Sequence, residues 1–406
     1  MKVCVVGSGG REHGLALALR RTAEVVVTPG NPGIPGSVAA PPEAVDADLY
    51  VIGPEQPLVD GLADRLRAAG RRVFGPGADG ARVEGSKAYM KDLVRSAGVP
   101  TAGYGVFSDV EPALVFLQTL PGLYVVKTDG LTAGKGVLVT ESFDEAADDV
   151  RDKLSGASFG AAGRTVVIEE GLSGPEASVF AICDGTRAVA LPPAQDFKRV
   201  GDGDTGPNTG GMGAWSPVPF AGTDLGDDVI ARFVEPTLSA LHAKGVDYQG
   251  VLYAGLMLTP DGPKLIEYNI RFGDPDSQVV LLRLTSDLAD LLAAAADGDL
   301  SAADPVTVSD DTLVLVVAAS EGYPSTPRTG DVIHGLDAAE DVEGADVLCA
   351  GVTTDDQGRL LTAGGRVLDL VGRGPDVSTA RTRAYEALAH ISWPGLHHRT
   401  DIAAPR

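Results

Sequence analysis

Apolar and polar residues in the N-terminal part of the chain form blocks that predict strands separated by helices. Strand-sized apolar runs lie at Val3–Val6, Glu24–Thr28, Asp48–Ile52 and Arg72–Phe74, and the first run is followed by a glycine-rich turn and an amphipathic helix. A further helical pattern covers Leu58–Ala69. This order is typical of a doubly wound α/β domain, in which ligands bind at the carboxyl edge of the parallel strands.

The connection between the second and third strands departs from this pattern. Residues 30–47 read GNPGIPGSVAAPPEAVDA, which contains too much Pro and Gly for a crossover helix. We therefore expect an irregular connection at this point.

A helix predicted at Lys87–Ala97 is followed by the pattern of a smaller α+β unit that ends near Glu170. In this unit two strand-like runs, Tyr124–Val126 and Val137–Val139, flank a glycine-rich segment, and a helix is predicted at Phe143–Leu154. The two runs therefore predict a hairpin-like flap.

The rest of the chain predicts further strands from Ala177, a helix near Asp228–Lys244, and a hairpin around the turn Asp261-Gly262. From about Asp311 short strands and turns dominate, and a last helix is predicted at Val377–Ile391. These features indicate a compact C-terminal domain.

Length and charge limit the possible functions. With 406 residues, of which 44% are hydrophobic, the chain is long enough for more than one domain with substantial cores. Its formal net charge of −23 repels a phosphate backbone, so neither nucleic acid nor an anionic membrane is expected as a partner. An anionic ligand must therefore meet local clusters of Lys, Arg and backbone N–H groups.

The cysteines indicate a reducing compartment. Cys4, Cys183 and Cys349 are far apart and odd in number, which argues against a disulfide framework or a paired-cysteine metal site. The apolar run Val3–Val6 is too short for a signal peptide, and Leu313–Ala319 has the length of a strand. We expect a cytoplasmic protein with buried, reduced thiols and no membrane segment.

The flap segment VVKTDGLTAGKGVLVT is similar to a nucleotide-binding P-loop, but its spacing is wrong. Gly130 is followed by three residues before Gly134-Lys135-Gly136, and no hydroxyl follows the lysine. Flexible glycine amides with Lys127 and Lys135 are suited to closing over a polyphosphate. The alternative is a solvated turn with surface lysines.

The segment LIEYNIRFGDPD contains a candidate metal site. The strand period of two places Leu265, Glu267 and Asn269 on one face and Ile266 and Tyr268 on the other. A carboxylate beside an amide oxygen suits magnesium, which takes its remaining ligands from water and phosphates. Arg271 has the same parity and is positioned to hold a phosphate. The alternative is a polar strand edge that faces solvent.

Two other segments give weaker signals. GSGGREHG has Gly7 and Gly9 of a dinucleotide fingerprint, but Glu12 occupies the position that requires Gly or Ala. A phosphate at the helix N-terminus remains an alternative reading. VIEEGLSGPEAS carries carboxylates that can accept ribose hydroxyls.

Seven segments in order, among them VVKTDGLTAGKGV, QDFKRVGDGDTGPNTGGMGAWSP and IEYNIRFGDPDSQ, closely resemble the glycinamide ribonucleotide synthetase family of ATP-grasp enzymes. The resemblance covers nearly the whole chain, including GYPSTPRTGDVIHGL and GGRVLDL near its C-terminal end. It implies that the glycine-rich segment is the flap that covers the ATP phosphates.

The resemblance implies a multidomain α/β and α+β fold: a doubly wound N-terminal domain, an ATP-grasp core with a mobile flap subdomain, and a small β-rich C-terminal domain. The implied ranges are 1–86 for the N-terminal substrate domain, 87–104 and 175–305 for the ATP-grasp central domain, 105–174 for the flap subdomain and 306–406 for the C-terminal domain.

The resemblance also implies the reaction, which belongs to de novo purine biosynthesis. Glycine is joined to 5-phosphoribosylamine through a glycyl phosphate intermediate, and ATP is converted to ADP and phosphate. ATP is thus a cosubstrate, and Mg²⁺ is the implied metal, with Mn²⁺ as an alternative. A monomer is expected.

The roles of individual residues follow from the same resemblance. ATP is bound by Lys87, Lys127, Gly130, Gly134, Lys135, Gly136, Glu169, Glu170, Leu172 and Glu176. The metal ligands are Glu267 and Asn269. The other substrates contact Gly9, Gly10, Gly53, Pro54, Glu55, Asn208, Thr209, Gly210, Gly211 and Arg271, and the catalytic residues are Lys127, Arg271, Asp196 and Lys198.

The sequence departs from the family pattern at three points. Phe197 stands where the family usually has histidine, Pro175 replaces an acidic residue before Glu176, and the connection before Asp48 lacks the usual crossover helix. The alternative functions are another ATP-grasp carboxylate–amine ligase, a nicotinamide dehydrogenase, and a nucleotide-binding protein without activity.

Overall fold

The computed structural model describes residues 1–131, 136–156 and 164–405. The N-terminal unit is built on a four-stranded parallel sheet in the order β2-β1-β3-β4. Its elements are β1 (Lys2–Gly7), α1 (Gly10–Leu19), β2 (Glu24–Pro29), β3 (Leu49–Ile52), α2 (Glu55–Val59), α3 (Leu62–Ala68), β4 (Val73–Phe74) and α4 (Ala78–Gly85). The central strand β1 is buried over nearly its whole length, as expected for a parallel strand covered on both faces.

Two features of this unit concern the sequence predictions. The connection between β2 and β3 contains only a short 3₁₀ turn, Pro42–Ala44, which confirms that it is irregular. The predicted single helix Leu58–Ala69 is wrong, because the chain breaks into α2 and α3. Gly61, at φ 76°, is in the left-handed region that favours glycine, and α3 starts directly after it.

The flap unit is a four-stranded antiparallel sheet in the order β5-β8-β6-β7, preceded by helix α5 (Lys87–Ser96). The elements are β5 (Tyr104–Phe107), α6 (Val110–Leu117), β6 (Tyr124–Thr128), β7 (Val137–Thr140), α7 (Phe143–Leu154) and β8 (Val166–Glu170). Strands β6 and β7 pair antiparallel, so the predicted hairpin-like arrangement is confirmed for the described residues. Helix α7 has the predicted bounds.

The central unit is built on the antiparallel sheet β10-β9-β15-β16. Its strands are β9 (Glu176–Asp184), β10 (Ala188–Ala190), β15 (Gln249–Thr259) and β16 (Gly262–Asn269). Its helical elements are α8 (Leu225–Val229), a π-helical turn (Ile230–Val234), α9 (Glu235–His242), α10 (Asp276–Leu281), α11 (Leu288–Asp297) and a 3₁₀ turn (Leu300–Ala302). The β15–β16 hairpin confirms the prediction around Asp261-Gly262.

A five-stranded sheet in the order β11-β14-β17-β21-β18 forms the C-terminal core, and the buried strand β17 runs through its middle. Its elements are β11 (Gln195–Asp196), β14 (Gly213–Ser216), β17 (Thr312–Ala319), α12 (Leu336–Glu340), β18 (Ala345–Cys349), β21 (Arg366–Gly374) and α13 (Val377–His390). Two small ribbons accompany it, β12 (Arg199–Gly201) with β13 (Thr205–Asn208) and β19 (Val352–Thr354) with β20 (Leu360–Thr362).

Because β14 pairs with β17, one sheet joins residues on both sides of the predicted boundary at 305 and 306. The four domain ranges stay predictions. In the described ranges no helix combines the length and the apolar content needed to cross a bilayer.

Candidate active site

A cavity of about 830 Å³ lies where the N-terminal unit, the flap, the central sheet and the C-terminal sheet meet. Cavities of roughly 300–1,000 Å³ are typical of small-molecule sites. The predicted site residues that line it are Pro54, Glu55, Lys87, Lys127, Glu169, Glu170, Leu172, Glu176, Asp196, Lys198, Asn208, Thr209, Gly210, Glu267, Asn269 and Arg271. The fold thus brings together residues that are far apart in the sequence.

Of the predicted site glycines that the structure describes, Gly210 lines this cavity and the other six do not. Within the described ranges, the wall does not include Gly9, Gly10, Gly53, Gly130, Gly136 or Gly211. The Gly9 N–H donates to Glu12 Oε2 at 2.6 Å, and a Cβ at Gly53 would lie 2.0 Å from Glu12 Oε1. The close approach of the buried Glu12 carboxylate therefore explains why glycine occupies these two positions. Gly134 and Lys135 lie outside the described residues.

Lys127 lies on β6 and forms a buried ion pair with Glu169 of β8. Its Nζ is 2.7 Å from Glu169 Oε1, and Nζ of Lys91, on α5, is 2.7 Å from the other carboxylate oxygen. The three side chains are 4%, 4% and 0% exposed for Lys127, Glu169 and Lys91. Burial raises the pKa of Glu169, but Lys127 and Lys91 outweigh it, so the net pKa is below its usual value. Glu169 is therefore an anion that holds a cation at the cavity wall.

Lys87 connects the start of α5 to the flap. Ser86 caps this helix by accepting from the Tyr89 N–H at 3.1 Å, and the adjacent Lys87 Nζ donates to the Gly130 carbonyl at 2.8 Å. Asp129 accepts from the Ala88 N–H at 3.2 Å. Burial lowers the pKa of Lys87, and Lys127 adds to this shift while Glu267 opposes it. Lys87 and Lys127 thus lie together at the end of the cavity next to strand β6 of the flap.

The hinge after β8 forms one wall of the cavity. Glu170 accepts from the Gly103 N–H through Oε1 at 3.0 Å, and its own N–H donates to the Gly103 carbonyl at 2.9 Å. The Gly171 N–H donates to the Leu123 carbonyl at 2.8 Å. These bonds fix the backbone that presents Leu172 to the cavity.

Lys198 lies between two carboxylates on the opposite side. Its Nζ is 2.8 Å from Asp196 Oδ1 and 3.0 Å from Glu176 Oε2. Burial lowers the pKa of Lys198, but these two carboxylates outweigh burial and raise the pKa well above its usual value. Burial raises the pKa of Asp196 to about 6 in spite of Lys198. Lys198 therefore stays a cation at neutral pH.

Glu267 and Asn269 line the cavity from β16, but so do Ile266 and Tyr268, so the lining does not separate the two predicted faces. The predicted place of Leu265 is wrong. Gly255 pairs with Glu267 while Leu256 pairs with Leu265, so Ile266 is an extra residue in the strand. Such a bulge reverses the alternation on one side. Leu265 is consequently buried in the same core cluster as Tyr268.

The charge of Glu267 is stabilised by its surroundings. Burial raises its pKa, but Lys127, Lys198 and Lys87 outweigh it, and the net pKa is below the usual value. Asn269 Oδ1 accepts from Arg271 Nη2 at 3.3 Å. Among the described residues, no group of three or more His, Cys, Asp or Glu side chains is arranged to hold a metal ion. A metal here would need ligands from outside the protein.

Arg271 joins β16 to the N-terminal unit. Its guanidinium lies 2.9 Å from Glu84 Oε1 and 3.2 Å from Glu55 Oε2. Glu84 also accepts from the Ile270 N–H at 2.9 Å. Although burial opposes it, these carboxylates raise the pKa of Arg271. Arg271 is thus a permanent cation with a fixed direction.

The loop Asn208–Gly211 closes the end of the cavity near the C-terminal sheet. Both the N–H and Oγ1 of Thr209 donate to the Lys198 carbonyl at 2.8 Å. The Gly210 N–H donates to the Tyr323 hydroxyl at 2.9 Å, and Arg366 Nη1 donates to the Gly210 carbonyl at 2.9 Å. The loop is therefore held by the central and C-terminal units together.

Phe197, the departure from the family pattern, also lines the cavity. The residue is 8% exposed and belongs to the C-terminal core cluster. Its ring centroid is 5.2 Å from the Arg399 guanidinium carbon. A phenyl ring cannot transfer a proton, so any proton transfer at this wall must use other groups.

Sequence reasoning missed three charged residues that support the site: Lys91, Glu84 and Arg366. Lys91 follows Lys87 by four residues on one predicted helix, a spacing that places both on the same face and offered a usable signal. Glu84 and Arg366 act through contacts distant in sequence, with Arg271 and with Gly210 respectively. Arg366 lies in the family-like segment GGRVLDL, but neither residue lies in a spacing pattern that predicts its contact.

A cavity lined by residues of two antiparallel sheets, with Lys87, Lys127 and the flap beside the carboxylate of Glu267, defines an ATP-grasp enzyme. The same fold occurs in the biotin carboxylase domain of the Hydrogenobacter thermophilus 2-oxoglutarate carboxylase. The TM-score is 0.74 over 98% of this chain and 91% of that chain, at 15% identity.

Within this class, the chain belongs to the phosphoribosylglycinamide synthetase family. The family's N domain, ATP-grasp (A) domain and C domain models match residues 1–84, 85–277 and 313–405. A phosphoribosylamine–glycine ligase of Xanthomonas campestris is 48% identical, over 99% of this chain and 97% of its own. One of the same name from Streptomyces coelicolor is 47% identical, over 100% and 99%.

A solved structure agrees with this assignment. The crystal structure of phosphoribosylamine–glycine ligase from Thermotoga maritima has a TM-score of 0.88 at 34% identity, and the match covers 99% of this chain and all of that chain. The dehydrogenase alternative is therefore wrong.

Proposed function

We propose that this protein ligates glycine to 5-phosphoribosylamine in the cavity described above, with conversion of ATP to ADP and phosphate, as a step of purine biosynthesis. The observation that carries the proposal is the convergence of Lys87, Lys127, Glu267 and Arg271 on one cavity, in a chain whose full-length relatives are named phosphoribosylamine–glycine ligase.

The chemistry needs positioned charge rather than a nucleophilic side chain. The carboxylate of glycine is a poor electrophile, so an oxygen of that carboxylate first attacks the γ-phosphorus of ATP and releases ADP. The ribosylamine nitrogen then attacks the carbonyl carbon of glycyl phosphate, loses a proton, and expels inorganic phosphate. Preorganised cations stabilise the charge that develops in both steps.

We assign the ATP end of the cavity to the flap and the hinge. Lys87 and Lys127 would contact the phosphates, with Gly130, Gly134, Lys135 and Gly136 on the flap above them. Glu169, Glu170 and Leu172 would flank the adenine, and Glu176 would accept a ribose hydroxyl. The buried position of Lys127 beside Glu169 supports this assignment. A phosphate that takes the place of the Glu169 carboxylate as the partner of Lys127 still pairs the buried ammonium with a negative charge.

We assign the other end to the two remaining substrates. Pro54, Glu55, the loop Asn208–Gly211 and Arg271 would bind them, supported by Gly9, Gly10 and Gly53 behind the wall. Asp196 and Lys198 would act in catalysis between the two ends, as a paired carboxylate and ammonium. Their ion pair at 2.8 Å supports a shared role.

A divalent metal, Mg²⁺ or Mn²⁺, fits the donors at β16. Glu267 offers an ionised carboxylate and Asn269 an amide oxygen, the hard oxygen donors that both ions accept, with the other ligands left to phosphates and water. When bound, the metal supplies charge neutralisation for phosphoryl transfer.

We also propose a monomeric enzyme of the cytoplasm that acts only on small molecules. Its three cysteines are buried and not joined in disulfides, which is typical of a reducing compartment. Light scattering of the purified protein tests the monomer.

The test is an ADP-release assay with ATP, Mg²⁺, glycine and freshly generated phosphoribosylamine, in which each component is omitted in turn. We expect ADP and glycinamide ribonucleotide in equal amounts, and only in the complete mixture. Preferred turnover of another amino acid would support a different ATP-grasp carboxylate–amine ligase. ATP binding without ADP release would support a protein that has lost its activity.

A further inference from the structure

The ribbon β12–β13 carries part of the cavity wall but has little support of its own. It forms a separate two-stranded sheet, and residues 202–207 at its turn are exposed. Arg199, Asp204 and Asn208 of the ribbon line the cavity, and the loop Asn208–Gly211 continues from it. An isolated two-stranded hairpin is marginally stable in water. Its position therefore depends on contacts with other parts of the protein.

Val200 of the ribbon packs against the main hydrophobic core. Hydrogen bonds to the ribbon and its turn come from residues 397–401, here called the C-terminal segment. The Thr400 N–H donates to Asp202 Oδ1 at 2.8 Å, and Asp401 Oδ2 accepts from the Gly203 N–H at 2.8 Å. His397 Nε2 lies 2.9 Å from the Val200 carbonyl oxygen. The segment thus contacts one strand and the turn of the ribbon.

Arg399 is the centre of this contact and is 1% exposed. Its Nε and Nη2 donate to the two carboxylate oxygens of Asp401, both at 2.7 Å. Its Nη1 donates to Asp204 Oδ1 at 2.8 Å and to the Arg199 carbonyl at 3.2 Å. A paired, planar guanidinium of this kind fixes the direction of its partners as well as their distance.

Asp204, the partner of Arg399, has an unusual backbone conformation. Its φ is 54°, in the left-handed region that residues with a Cβ seldom adopt. The residue lines the cavity and lies in the ribbon turn. The ion pair with Arg399 ties the side chain of this turn residue to the C-terminal segment.

On its other side Arg399 reaches the cavity wall through Phe197. The guanidinium carbon lies 5.2 Å from the ring centroid, within the distance of a cation–π contact. The same guanidinium therefore contacts two parts of the wall, Phe197 directly after β11 and Asp204 in the ribbon turn.

We propose that Arg399 is a positioning residue for the substrates other than ATP: it fixes the β12–β13 ribbon and thereby the loop Asn208–Gly211 at their end of the cavity. This inference rests on the proposed function for its kinetic part. The guanidinium of Arg399 gives the ribbon charged hydrogen-bond donors. Among the described residues, its contacts do not involve Lys87, Lys127 or the hinge at the ATP end.

The test compares Arg399→Met, Arg399→Lys and a control, Arg383→Met. Arg383 lies on α13 of the same unit, and its hydrogen bond in the described part of the chain goes to the Arg373 carbonyl, at 2.6 Å, rather than to the ribbon. Two measurements are made on each folded variant: amide hydrogen exchange over residues 199–211 without any substrate, and the KM values for glycine, phosphoribosylamine and ATP.

For Arg399→Met we expect exchange in residues 199–211 to be faster by about tenfold or more, with other segments unchanged. We expect the KM for glycine or phosphoribosylamine to rise by about tenfold or more, and that for ATP to stay within about twofold. Arg399→Lys should fall between this variant and the parent, and Arg383→Met should match the parent.

Unchanged exchange in Arg399→Met would overturn the inference, as would faster exchange with unchanged KM values. A parallel rise of all three KM values would also overturn it, because the role would then be general stability. A parent enzyme that fails to ligate glycine would contradict the proposed function. The hydrogen-exchange measurement needs no turnover, so it would still test whether Arg399 fixes the ribbon.

Discussion

Replacing Lys91 by Met removes one of the two cations that hold the Glu169 carboxylate. Lys91 is fully buried and lies 2.7 Å from Glu169, and it also donates to Thr101 Oγ1 at 2.8 Å. Breaking a buried ion pair costs about 3–5 kcal/mol when the remaining charge has no other partner. Here Glu169 keeps Lys127, so we expect about 2 kcal/mol of lost stability.

The same change should weaken ATP binding. With Lys91 absent, Glu169 has only Lys127 as its partner, and Lys127 must leave that carboxylate to neutralise a phosphate. We expect the KM for ATP to rise by about tenfold, or ~1.4 kcal/mol. The KM for glycine should change much less, because Lys91 acts through Glu169, which we assign to the ATP end of the cavity.

The assay is steady-state turnover as a function of ATP, with urea unfolding to measure stability. Lys153→Met is the matched control, because Lys153 is also a buried lysine in an ion pair, with Asp149 on α7, away from the cavity wall. It should lose stability but keep the KM for ATP. An unchanged KM in folded Lys91→Met, or an equal rise in Lys153→Met, would refute the reasoning.

Three further predictions concern other parts of the site. Glu267→Gln should raise the Mg²⁺ requirement and lower turnover by on the order of a hundredfold. Tyr268→Phe should leave the Mg²⁺ titration unchanged, because the lost hydroxyl is buried against Thr237. A parent-like titration of Glu267→Gln would place the metal elsewhere. Phe197→His should leave turnover within roughly tenfold, since proton transfer at this wall is not needed, and a gain of several orders of magnitude would contradict this. Burial lowers the pKa of Lys91 to about 8, so its ammonium is present below that pH and lost above it. The KM for ATP should therefore rise as the pH increases from about 7 to about 9, and Lys91→Met should abolish that rise.

Local patterns predicted the elements whose signals are contained within a few turns of chain. Helix α7 begins after the cap Ser142, whose Oγ accepts from the Glu145 N–H, and it has acidic residues in its first turn and basic residues in its last. The β15–β16 hairpin has a turn signal between two apolar runs. Helix α7 and the β15–β16 hairpin could therefore be predicted from the local sequence without knowledge of tertiary contacts.

Tertiary contacts decided what the pattern could not. The alternation through Leu265 fails because β15 and β16 pair with a bulge, which depends on the partner strand. The predicted helix Asp228–Lys244 starts three residues earlier, at Leu225, and contains the π-helical turn Ile230–Val234, where the bonding period changes within an apolar run. Both differences change the face that a side chain occupies.

In the candidate site, too, some residues could be predicted from local sequence and others only from the fold. Lys127, Glu267 and Asn269 lie in segments with family-specific sequence, and all three line the cavity as expected. Arg399 lies about two hundred positions from Asp204 in the sequence, and only the fold brings the two together. Long-range ion pairs of this kind leave no periodic trace in a single sequence.

The most direct test of the central claim follows the oxygen atoms of glycine. If the cavity activates glycine as glycyl phosphate for attack by phosphoribosylamine, glycine labelled with ¹⁸O in its carboxylate must transfer one labelled oxygen to the inorganic phosphate released with each product molecule. Mass spectrometry of the phosphate should show one ¹⁸O per glycinamide ribonucleotide formed. Product formation with unlabelled phosphate would contradict the account.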